Sequence, residues 1–160
     1  MNVICCRVIE IFEKEALIFL ILLPILLMAQ SNKQVTADLL RSFADAFNAH
    51  DVKAVMSHMT DDCVFEASSG PDIDGEKYTG QAQVSNAFEN VFTAFRDASW
   101  GNARHFISGN RGFSEWTFTG TRPDGTRVEV NGCDLFTFKN GKIVIKNSFR
   151  KNRLQSKEKT

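Results

Sequence analysis

Residues 127–150 read RVEVNGCDLFTFKNGKIVIKNSFR, two runs with a period of two joined by Asn140-Gly141. Asn-Gly between alternating apolar residues is the strongest short-range signal for a β-hairpin. Alternate residues of a strand share a face. One face of the first run carries Val128, Val130, Gly132, Asp134, Phe136 and Phe138, all apolar except one carboxylate. A one-residue slip would bury Glu129 and Lys139 instead, so the register is well specified and Asp134 points inward. On the second run the same alternation groups Ile143, Ile145, Asn147 and Phe149, with Asn147 as the polar member.

Working outward, two further strands precede this hairpin. Trp100–Ser108 and Phe113–Thr121 flank the turn Gly109–Gly112, and Arg122-Pro123-Asp124-Gly125 forms the next turn. Before Asp97 the period is helical. Leu39, Leu40, Phe43, Ala46 and Phe47 share one face, and Asp51 is placed to cap a second short helix bearing Val52, Val55, Met56 and Met59. Cys63–Glu66 reads as a short strand and Ser68–Gly80 as a loop. Val84, Phe88, Val91, Phe92 and Phe95 mark a third helix. Helices first and consecutive hairpins afterwards mean an α+β domain, with three helices packed on one face of a curved antiparallel sheet that curls into a cone. It occupies residues 34–153, followed by a polar tail at 154–160.

Lys plus Arg and Asp plus Glu number 19 each, so no global field draws the chain to nucleic acid or an anionic membrane. Fourteen Phe against one Tyr give an interior of apolar rings, suited to a core or to a small hydrophobic ligand. The four Cys and three His show no disulfide or metal-ligand spacing, and no cofactor motif or nucleophile elbow occurs. No metal and no cofactor are expected. Ala16–Met28, ALIFLILLPILLM, is short for a bilayer span and fits the apolar region of a signal peptide ending near Ala29. Its flank is not the usual positive one, since Glu10, Glu13 and Glu15 outnumber Arg7 and Lys14. Residues 1–30 are therefore read as an export signal, an uncleaved membrane anchor through 16–28, or the product of a start placed too far upstream. Those readings place the protein outside the cytoplasm, on a membrane or in the cytoplasm respectively.

The three helices, the FNAHD break at 47–51, MTDDCVFE at 59–66 and the ending G-x-D-LFTFKNGKI at 132–143 resemble the NTF2-like superfamily, and within it SnoaL-like and ketosteroid-isomerase-like proteins. The resemblance implies a cone-shaped pocket and a homodimer. Cys133 and Leu135 on the face opposite Asp134 offer the dimer an apolar surface. Ketosteroid isomerases pair a helix Tyr and a late-strand neutral Asp with an Asp base. By that resemblance Asp134 keeps the late position, while Phe43 and Ala67 stand at the Tyr and base positions, so steroid isomerisation is not supported. Polyketide-cyclase relatives place a His near the preceding turn, where this chain has Arg122.

Asp134 and His105 are thus the candidate catalytic residues. Burial among Val and Phe should raise the Asp134 pKa, and His105 could move a proton or hold the carboxylate. Phe43, Phe47, Trp100, Trp116, Phe136 and Asn147 are the candidate ligand contacts. Glu66 is a possible base only if its strand end turns inward. Two functions remain open: a cofactor-free isomerase, cyclase or dehydratase on a compact hydrophobic substrate, or a non-catalytic ligand-binding or dimerisation module.

Overall fold

The computed structural model describes residues 35–153, and the readings made for the N-terminal segment and the polar tail lie outside them. Helix α1 (Ala37–Asn48) buries Leu40, Phe43 and Phe47. His50, with φ 55°, turns the chain out of it. Asp51 then caps α2 (Val52–Ser57), its carboxylate accepting the Ala54 N–H at 2.9 Å. Helix α3 (Gly80–Ala94) buries Val84, Ala87, Phe88 and Phe92. The strands are β1 (Met59–Glu66), β2 (Lys77–Thr79), β3 (Ser99–Ser108), β4 (Arg111–Thr121), β5 (Arg127–Lys139) and β6 (Lys142–Arg150).

The six strands form one sheet in the order β2-β1-β6-β5-β4-β3. The α+β architecture is the expected one, with three differences in detail. First, β1 pairs with β6 in parallel, so the sheet is mixed. No hairpin joins these two strands: the chain leaves β1 through β2 and α3, and its last strand returns beside β1 in the same direction. Second, the expected loop Ser68–Gly80 contributes β2, a three-residue edge strand paired antiparallel with β1. Third, Met59 belongs to β1, because α2 ends at Ser57 and His58 caps it. At the tip of the β5–β6 hairpin Asn140 and Gly141 both have positive φ, at 53° and 75°, the conformation this two-residue turn demands.

Phe47 is the hub of the core. Its ring lies 5.0 Å from Phe88, 5.0 Å from Phe92 and 4.6 Å from Trp100, each edge to face. Such pairs contribute about 0.5–1.5 kcal/mol beyond area burial. The end of α1 is tied to β3 by two hydrogen bonds. Asn48 accepts the Trp100 N–H at 2.8 Å and donates to the Trp100 carbonyl at 3.2 Å.

Two β-bulges reset which side chains face the helices. In β3 the register jumps between Gly101 and Arg104, with Asn102 at φ 55°. In β6 Ile143 pairs with Phe138 while Ile145 pairs with Thr137, which leaves Val144 as the extra residue. Each bulge exchanges the two faces of its strand beyond that point.

Candidate functional site

A polar row crosses the inner face of the sheet. His105 on β3 stands opposite Ser114 on β4, Ser114 opposite Asp134 on β5, and Asp134 opposite Ser148 on β6. The β3 bulge puts His105 on the same side as Trp100, which plain alternation would have separated. His105 Nδ1 lies 2.7 Å from Ser114 Oγ. Burial pulls the imidazole below its ordinary 6.5, the Arg41 guanidinium adds to this, and Asp45 opposes it.

Asp134 is 6 % exposed and points inward as the alternation of β5 requires. Three side-chain donors hold its carboxylate. Trp116 Nε1 donates to Oδ2 at 2.9 Å. Lys146 Nζ donates to Oδ1 at 2.7 Å, and Ser148 Oγ donates to the same oxygen at 2.6 Å. Lys146 also donates to Ser148 Oγ at 2.6 Å, closing a triangle of buried polar groups. The ammonium lies 5.0 Å from the centre of the Phe65 ring and 5.6 Å from that of Phe47, within cation–π range.

Lys146 and Ser148 are the site residues that alternation missed. The bulge at Val144 turns them inward and turns Asn147 outward, so Asn147 is corrected from ligand contact to outer-face residue opposite Leu135. The signal available in the sequence was the odd run Lys142–Asn147, KIVIKN, where no unbroken alternation keeps both Ile143 and Lys146 on the faces they occupy.

Gly132 is what lets Trp116 reach across β5. A Cβ at Gly132 would stand 2.3 Å from the indole Cη2 and 2.5 Å from the Phe149 carbonyl oxygen, distances no structure tolerates.

Two cavities meet at this cluster. The smaller, about 30 Å³, is lined by His105, Ser114, Trp116, Asp134 and Lys146 together with Phe43, Phe47, Trp100 and Phe136. It is the size of one water molecule. The larger, about 300 Å³, is lined by Lys146, Ser148 and Arg150 and by the rings of Phe47, Phe65, Tyr78, Phe95, Trp100, Trp116 and Phe118. Ala67 also lines it, whereas Glu66 turns away and pairs with Lys77 at 2.9 Å. Arg122 lies in the β4–β5 turn, its backbone bonded to Thr126 and Gly125, and lines neither cavity. Among the described residues no group of three metal-ligating side chains is gathered.

The sequence profile of the SnoaL-like domain matches residues 40–145. The chain belongs to the SnoaL-like family. Solved structures agree on the fold. A candidate polyketide cyclase from Xanthomonas campestris pv. campestris superposes with a TM-score of 0.65 at 19 % identity, covering 74 % of this chain and 92 % of that one. A second, from Pseudomonas putida KT2440, gives 0.64 at 18 %, with 76 % and 93 % covered. TerC, crystallised with polyporic acid, gives 0.61 at 18 %, with 71 % and 89 % covered. A search of curated protein sequences finds no significant match. The SnoaL-like domain of this chain thus has the NTF2-like cone, with the polar cluster of Asp134 and Lys146 inside it.

Proposed function

We propose that this SnoaL-like protein is a cofactor-free acid/base enzyme that acts on a compact hydrophobic carbonyl compound, as an isomerase, cyclase or dehydratase. The observation that carries this reading is Lys146, held on Asp134 at 2.7 Å while lining both cavities. An ammonium fixed in a dry site stabilises negative charge developing on a carbonyl oxygen without reorganising at the moment of reaction. Asp134 orients that ammonium, and Ser148 is the second donor beside it. His105, favoured as the neutral imidazole, supplies the base. In the tautomer that donates Nδ1–H to Ser114, Nε2 carries the free lone pair and takes the proton from the carbon next to the carbonyl.

The non-catalytic alternative draws on cavity size. The space that touches His105 and Asp134 holds about one water, while the space large enough for a ligand does not reach His105. One experiment separates the two. A thermal-shift screen of polycyclic carbonyl compounds on the full chain finds a ligand, and NMR in D₂O then follows exchange of its α-protons. Exchange that is lost in Lys146→Met and His105→Gln supports the enzyme. Binding with no exchange supports the binding module.

The outer face of the sheet is the proposed homodimer surface. Phe106 and Phe149 are 54 % and 48 % exposed there. Phe113 stands opposite both Phe106 and Leu135, and Cys133 stands opposite Phe149. A contiguous apolar patch on an open sheet marks an interface, and twofold pairing is the common arrangement.

A further inference from the structure

The charges lining the larger cavity do not balance. Two basic side chains, Lys146 and Arg150, face it, and no Asp or Glu does. Lys146 is already neutralised by Asp134, which sits behind it. Arg150 has no carboxylate within ion-pairing distance among the described residues. Its guanidinium lies 5.8 Å from the centre of the Phe118 ring, on the cavity wall. Burial and the neighbouring Arg122 both lower its pKa, as happens to a cation short of negative company.

We infer that the ligand of the larger cavity is an organic anion: a flat apolar ring body carrying one ionised oxygen group, a carboxylate or an acidic enol or phenol, that pairs with Arg150. This deepens the functional reading above and rests on its claim that the cavity takes a small molecule. The placement follows from β6. Lys146, Ser148 and Arg150 point the same way, and four residues of strand separate the two cations by about 13 Å. A body of two or three fused rings fits between the aromatic walls with its carbonyl at Lys146 and its anion at Arg150. Arg150 is an exposed residue of the cavity wall, and its guanidinium is free to bind a carboxylate by two parallel charge-assisted hydrogen bonds. A neutral analogue forgoes that pair and leaves the guanidinium to water, so the site discriminates by charge.

The test uses the chain's own fluorescence, since both of its tryptophans, Trp100 and Trp116, line the cavity. The full chain is titrated at pH 7 with 2-naphthoic acid and with 2-naphthamide, probes of one shape that differ in charge. The acid is expected to bind at least tenfold more tightly. Arg150→Met should bring its affinity down to about that of the amide, and an unaltered circular-dichroism spectrum shows that the variant is folded. Arg150→Lys should keep part of the preference. Equal affinities in the unaltered protein, or a preference that survives Arg150→Met, would overturn the inference and leave the cavity reading standing. If neither probe binds, the cavity reading falls and the inference falls with it.

Discussion

Lys146 Nζ lies 2.7 Å from Asp134 Oδ1, and both side chains are less than a tenth exposed. Removing either partner leaves the other as an uncompensated buried charge. Lys146→Met is therefore expected to destabilise the fold by about 3–5 kcal/mol, while Lys146→Met combined with Asp134→Leu should cost less than the single change. Urea unfolding of the three proteins checks this. A double variant less stable than Lys146→Met would contradict the pairing.

His105 sets a pH dependence of known sign. Its folded pKa lies below its ordinary 6.5, so the unfolded chain takes up this proton first as pH falls. Its contribution to stability is fully present above a pH of about 6.5 and is lost as pH falls through the folded value. His105→Gln should flatten the stability curve in that window. The same protonation should switch off any reaction in which His105 is the base, and an NMR titration of the ring against the rate compares the two.

Gly132→Ala is expected to cost at least about 1–3 kcal/mol, the usual penalty for overpacking a filled site. The new methyl must displace the Trp116 indole, and with it the Trp116–Asp134 hydrogen bond. A red-shifted tryptophan emission in a less stable protein is the expected result. An unshifted spectrum with unchanged stability would be inconsistent with the close approach.

Leu135→Glu should disrupt the proposed dimer. It adds a carboxylate to the patch formed with Phe106, Phe113 and Phe149, and faces away from both cavities. Light scattering at micromolar concentration should give a dimer for the unaltered chain and a monomer for the variant. A monomer for both removes the interface.

The fold was legible because its signals are local. Asn140-Gly141 fixes a hairpin, Asp51 caps a helix, and β5 alternates without interruption, so its inward face, Asp134 included, could be read directly. The site was legible only in part because β3 and β6 each contain a bulge. Whether a strand bulges depends on the register its neighbours impose, and β6 is held between β1 and β5. A lysine two residues before Ser148 reads as a surface residue until Val144 is known to stand out of register. The parallel pairing of β1 with β6 was hidden for a similar reason: it joins segments about eighty residues apart, and no turn residue announces it.

The extra residue in β6 also says something about how such a pocket could change over time. Beyond Val144 the strand carries two alternative linings, Lys146, Ser148 and Arg150 on one side and Ile145, Asn147 and Phe149 on the other. Drawing Val144 into the ladder opposite Thr137, with no residue lost, would exchange them at one stroke. A cationic wall would be replaced by a greasy one, and Asp134 would be left facing an isoleucine and an asparagine. A lineage could move between acidic and neutral ligands by straightening this bulge, with no substitution among the residues that line the cavity. The same event would carry the displaced lysine and arginine to the outer sheet and set like charges against each other across any twofold contact there.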